Sequence, residues 1–142
     1  MSANEDMIPL LQSVDLFREV PPKILRTIAE SGRVVEHKPG HEVTSDGSRG
    51  AAFHLITAGT AEVEVRGQRR GDLKTGDSFG EISLIDGLPR SATVRAGVDG
   101  MTTFAIASWD FLPILDENPT VSRTMLKVLC ARIRAAEATA AD

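Results

Sequence analysis

The chain has 142 residues, 42% of them hydrophobic, with 16 basic against 20 acidic side chains; that is one domain's worth, long enough to bury a core. Scattered Lys and Arg leave no nucleic-acid footprint, few aromatics and no tyrosine exclude a base-stacking platform, and no apolar run is long enough to cross a bilayer. The polar, acidic start Met1–Asp6 is unlike a signal peptide, and Cys130, the only cysteine, permits no intrachain disulfide, so a soluble protein of the reducing cytoplasm is expected.

A short helix is predicted from Ile8 to about Ser13, ahead of Asp15-Leu16-Phe17. A second starts at Pro21-Pro22, where proline suits a first helical turn. It carries Ile24, Leu25 and Ile28 on one face and stops at Ser31-Gly32, glycine being the usual terminator. From Arg33 the texture changes to short apolar segments. Val34-Val35, Glu42-Val43, Ala51 to Thr57, Thr60 to Arg66, Gly71 to Leu73, Ser91 to Ala96 and Thr102 to Ala107 read as strands. Their separators, among them Pro39-Gly40, Asp46-Gly47, Ala58-Gly59, Arg66-Gly67, Thr75-Gly76-Asp77 and Gly97 to Gly100, carry turn residues. Many short, evenly spaced strands predict a small barrel or jelly roll.

Helical character then returns. Ser108 is the expected N-cap for a helix from Trp109 to Leu115, and Asn118-Pro119 opens the last one. On that helix Val121, Met125, Val128, Leu129, Arg132 and Ile133 fall near one stripe, and the alanine-rich tail from Ala135 to Asp142 is expected to fray.

The run Phe79-Gly80-Glu81-Ile82-Ser83-Leu84, followed by Pro89-Arg90-Ser91-Ala92-Thr93-Val94, is built like a site for a small cyclic phosphate. Glycine lets the backbone approach closely, the start of a helical turn offers N–H donors, and a buried phosphate needs a compensating cation. This run resembles the phosphate-binding cassette of the cyclic nucleotide-binding domain family, which includes protein kinase A regulatory subunits, catabolite activator proteins and cyclic-nucleotide-gated channels. The resemblance extends to Val34–Gly40, Phe53–Val63, Leu73–Glu81, Asn118-Pro119 and Cys130–Ile133. It implies a mainly β fold: an eight-stranded β-roll, or jelly roll, with an N-terminal helix and C-terminal hinge and lid helices. Residues 1–142 are then expected to form a single domain, helical over 1–32, a β-roll over 33–107 with its cassette at 79–94, and helical again over 108–142.

What the resemblance implies residue by residue is a ligand-binding set of Phe79, Gly80, Glu81, Ile82, Ser83, Arg90, Ser91 and Ala92. Arg90 is expected to fork onto the phosphate, as lysine could not; outside this motif it would read as a surface ion-pair residue. Glu81, an acceptor only, would take the ribose 2′-hydroxyl, or else serve the helix dipole, and both roles are compatible. Gly80 gives the tight turn, and Ile82 and Ser83 would donate backbone N–H groups. Phe79 reads as core beneath the cassette. Ser91 occupies a position where relatives favouring cGMP carry threonine and cAMP-selective kinase subunits carry alanine; serine is read here as favouring cAMP, with cGMP the alternative. Leu129, Arg132 and Ile133 are the candidates for a lid over the base, or else for packing on the roll or in a helix-to-helix dimer.

His37 and His41 flank Pro39-Gly40 and are read, with His54, as ordinary histidines, so no metal or cofactor is expected. Cys130 is read as a small core or interface residue. The expected function is a regulatory module for a 3′,5′-cyclic nucleotide, cAMP before cGMP, that signals occupancy through its C-terminal helices and catalyses nothing. Expected partners are the nucleotide, an unidentified effector protein and a second copy through the last helix; no membrane and no DNA-binding module in this chain are expected. The alternative is a ligand-free β-roll scaffold, or the sensor half of a larger regulator.

Overall fold

The computed structural model describes residues 4–44, 52–86, 88 and 92–141. After a 3-10 turn at Glu5–Met7 come helix α1 (Ile8–Gln12), a second 3-10 turn at Asp15–Phe17, and α2 (Pro22–Glu30). Pro22 sits in the first turn of α2, and Leu25, Ile28 and Ala29 face the core. The Asn4 side-chain amide donates to the Ala29 carbonyl at 2.8 Å and the Gly32 carbonyl at 2.9 Å, which ties the start of the chain to the end of α2. Gly32 does not act as a left-handed terminator: Ser31, with φ −84°, caps α2, and a Cβ on Gly32 would stand 2.2 Å from Cζ of the fully buried Phe104. Close packing, not helix termination, requires glycine there.

Strands β1 (Arg33–His37), β2 (Glu42–Thr44), β3 (Ala52–Val65), β4 (Gln68–Lys74), β5 (Ser78–Phe79) and β6 (Thr93–Ala107) form one antiparallel sheet in the order β1-β6-β3-β4. β2 also pairs with β6, and β5 with β3. Two predicted turns are not turns. Ala58-Gly59 lies within β3 and Gly97 to Gly100 within β6, and the two strands pair along their length, from Ala52 opposite Ala107 to Glu64 opposite Thr93. Register shifts between Ile56 and Ala58, and between Gly59 and Ala61, mark bulges that bend the long ribbon. Gly59 (φ 85°) sits at that bend, where a Cβ would lie 2.3 Å from the Gly100 carbonyl oxygen. The glycines therefore kink strands rather than reverse the chain. Among the described residues, with each long strand counted as the segments on either side of its bend, the number of strand segments roughly agrees with the expected β-roll.

Among the described residues, two apolar clusters fill the fold. The larger lies under the helices, where Phe17 meets Phe53 edge-on at 5.3 Å between centroids and Phe111 at 6.1 Å. The smaller, around Ile56, Phe79, Val94 and Met101, lies inside the roll.

Helices α3 (Glu81–Asp86), α4 (Ser108–Glu117) and α5 (Pro119–Ala141) complete the chain. Ser108 is not an N-cap: it is the first residue of α4, buried, with Ala107 at the cap position and no side-chain cap bond. Asn118 closes α4 through its side chain, which donates to the Ile114 carbonyl at 2.7 Å, and opens α5 through its own carbonyl, which accepts from Val121 N–H at 3.0 Å. The tail expected to fray is helical through Ala141, in keeping with the high helix propensity of alanine.

Candidate functional site

The site grows from the junction of β5 and α3. Ser78 and Phe79 pair with Leu55 and His54 of β3, which carries the chain along the wall of the roll. Phe79 is buried and stacks on the His54 ring, centroids 4.8 Å apart and planes 10° from parallel. Gly80 then adopts φ 88°, a conformation that a side chain disfavours, and turns the backbone directly into α3. Its carbonyl accepts from Leu84 N–H at 3.0 Å, while Leu84 anchors the short helix in the core with no exposure. The first-turn N–H groups of such a helix have no partner within it and favour an anion.

This junction borders a cavity of ≈ 280 Å³ lined by Ser78 to Ser83, by Val63 and Leu73 of the β3–β4 pair, and by Ala92 and Val94. Of the residues expected at the site, Phe79, Gly80, Glu81, Ile82, Ser83 and Ala92 line this one cavity. Arg90 and Ser91 lie outside the described residues. Val63, Leu73, Ser78 and Val94 were not foreseen as lining residues. A signal was available: Leu73 is the sole aliphatic side chain of β4, and Ala61-Glu62-Val63-Glu64 alternates so that its apolar members share one face with it.

Glu81 is the polar centre of the cavity. Its Oε1 accepts from the Ser78 hydroxyl at 2.5 Å, and its Oε2 lies 3.8 Å from Nη1 of Arg132 on α5. Arg132 in turn grips Asp15, in the 3-10 turn before α2: Nε donates to Oδ2 at 3.1 Å and Nη2 donates to Oδ1. The hydrogen bonds from Arg132 hold the Asp15 carboxyl below the usual carboxylate range, against the opposing effect of burial.

The three lid candidates separate. Arg132 reaches the cassette through Glu81, Leu129 packs against the helical core, and Ile133 is exposed; neither Leu129 nor Ile133 lines the cavity. Cys130 is exposed as well, so it is not a core residue.

The histidines are nearer to one another than the sequence suggests. The ring of His37 lies 6.0 Å from that of His41 and 5.9 Å from that of His54. Thr103 Oγ1, fully buried, is 3.0 Å from both His37 Nε2 and His54 Nδ1. Burial, and next the charge of His41, lower the His37 pKa. Pairing of β1 and β3 on either side of β6 makes this cluster, a long-range effect invisible in local spacing. Among the described residues no group of three His, Cys, Asp or Glu side chains is arranged to hold a metal ion, and no helix is long and apolar enough to cross a membrane.

A family model described as the cyclic nucleotide-binding domain matches residues 34–118. The chain is 34% identical over 111 residues, 78% of its length, to a cAMP-dependent protein kinase regulatory subunit of Debaryomyces hansenii. It is 31% identical over 109 residues, 77% of its length, to cGMP-dependent 3′,5′-cGMP phosphodiesterase A of Dictyostelium discoideum. These stretches are 25% and 12% of the two relatives, so the chain spans a quarter or less of their length. The Thermus thermophilus Catabolite Activator Protein matches in structure with a TM-score of 0.71 at 26% identity, over 89% of this chain and 61% of that one.

Proposed function

The chain belongs to the cyclic nucleotide-binding domain family, and from that membership we propose that it is a non-catalytic regulatory module for a 3′,5′-cyclic nucleotide, cAMP in preference to cGMP. The observation that carries this reading is the positive-φ turn at Gly80, which delivers Glu81 and the start of α3 into a cavity with apolar walls. Such a cavity suits a ligand with one charged, one hydroxylated and one flat apolar part. In this reading Arg90 pairs with the phosphate, Glu81 accepts from the ribose 2′-hydroxyl, and Val63, Leu73 and Val94 pack on the purine. Ser91 supports the preference for cAMP on sequence grounds alone.

Occupancy is read out by α5. Arg132 links that helix to Glu81 within the cavity wall, so a ligand that engages Glu81 favours one placement of α5 over another. The signal passes to an effector protein, or to a second copy through the exposed Leu126, Cys130 and Ile133 of α5. A cytoplasmic location agrees with the single free cysteine. Isothermal titration of the purified chain with cAMP and with cGMP tests the reading. Saturable binding with cAMP tighter is the expected outcome, a cGMP preference overturns the assignment of Ser91, and binding of neither by folded, nucleotide-free protein favours a ligand-free scaffold.

A further inference from the structure

Arg132 is shared between two carboxylates, and the division is unequal. Asp15 takes the two-pronged grip through Nε and Nη2, whereas Glu81 faces only Nη1, at 3.8 Å, beyond hydrogen-bond reach. A guanidinium fork prefers one carboxylate bound by two parallel bonds. Asp15 is well placed to claim it, because the next residues in its turn, Leu16 and Phe17, are fully buried and fix the backbone. Among the described residues, Glu81 is the other carboxylate in ion-pair range of Arg132. The Arg132 side chain is about one-third exposed (34%), which leaves it room to turn.

We propose that Asp15 is a positioning residue for nucleotide binding: it occupies the Arg132 fork and so keeps the Glu81 carboxylate open to the ribose hydroxyl. The proposal rests on the reading of Glu81 as the ribose acceptor. Glu81 already spends one oxygen on Ser78. A full fork from Arg132 would take both oxygens and leave the incoming hydroxyl poorly matched. At 3.8 Å the guanidinium instead supplies charge compensation without consuming the acceptor. A residue of the N-terminal turn thus sets affinity at a cavity that it does not line.

The test is titration of the full chain and its Asp15→Asn variant with cAMP and with 2′-deoxy-cAMP. Asp15→Asn is expected to weaken cAMP by about tenfold, the scale of one charge-assisted hydrogen bond, and to leave 2′-deoxy-cAMP nearly unchanged. Asp15→Glu restores cAMP affinity, and Asp15→Asn causes no further loss in an Arg132→Gln background. Equal weakening of both nucleotides indicates a merely structural role for Asp15 and overturns the proposal, as does unchanged cAMP affinity. If the wild-type chain binds neither cAMP nor cGMP, the functional reading fails, and a crystal structure of the Asp15→Asn chain decides the contact. The Arg132 fork on Glu81 in that structure upholds the competition; Arg132 placed elsewhere overturns it.

Discussion

A cyclic phosphodiester carries one negative charge, and in the proposed reading Arg90 supplies its counterpart. Leaving that charge unpaired in a partly buried site costs several kcal/mol, so Arg90→Ala is expected to weaken cAMP binding by about a hundredfold or more while the fold is retained. Calorimetric titration, with circular dichroism to verify folding, checks this; unaltered affinity would refute the role of Arg90. Glu81 supports a finer distinction. Glu81→Ala is expected to reduce cAMP affinity by about ten- to a hundredfold and to erase the preference for cAMP over its 2′-deoxy analogue. A preference that survives the substitution removes Glu81 from ribose recognition. The grouping of the cassette was legible in the sequence because it is local: Gly80, Glu81 and Ser83 are neighbours in the chain and neighbours around the cavity. The partners of Glu81 divide by the same logic. Ser78 is three residues away and within reach of any tight turn, whereas the path from Arg132 to Asp15 crosses 117 positions and has no local signature.

At the scale of elements, helix starts and strand locations were legible from proline placement and alternation, but the meaning of the glycines was not. Gly32 reads as a helix stop and is in fact a gap for the Phe104 ring. Gly32→Ala would therefore drive a methyl group into a buried aromatic, and overpacking of this kind costs about 1–3 kcal/mol. Urea denaturation checks it. A loss in that range with unchanged cooperativity is expected, whereas a gain in stability, the usual result of replacing a flexible glycine, would show that the ring moves aside freely. Ala58-Gly59 and Gly97 to Gly100 were misread for a related reason. Composition marks where a backbone departs from regular geometry, but bulge and reversal call for the same residues. Only the partner strand decides between them, and β3 and β6 are partners at long range. The end of α5 shows the converse. Its alanines were read by position, as a terminus, when their helix propensity favoured continuation.

At the scale of the whole molecule, His37 and Asp15 make stability depend on acid. His37 has a folded pKa below its ordinary 6.5, chiefly through burial, so the folded state resists its protonation. Stability from that source is complete above pH 6.5 and is lost as pH falls through the lowered value. Asp15, with its pKa held below 3.8 chiefly by the hydrogen bonds from Arg132, behaves in the same sense at lower pH: its contribution is complete above 3.8 and is lost as pH falls through the folded value. Urea midpoints followed downward from neutral pH are expected to fall with a contribution from His37 that begins below pH 6.5 and one from Asp15 that begins below 3.8. His37→Gln removes the first contribution and Arg132→Gln the second; a pH dependence untouched by either variant would contradict the assignment. The long ribbon of β3 and β6 has a further consequence, in time rather than in energy. Val63 on one strand and Val94 on the other face each other in register and line the same cavity, so neither wall exists until distant parts of the chain have met. Contacts so far apart in sequence form slowly, late in the search for the folded state. A nucleotide can recognise only the finished ribbon, so it does not hasten folding; it lengthens the lifetime of a chain that has already folded.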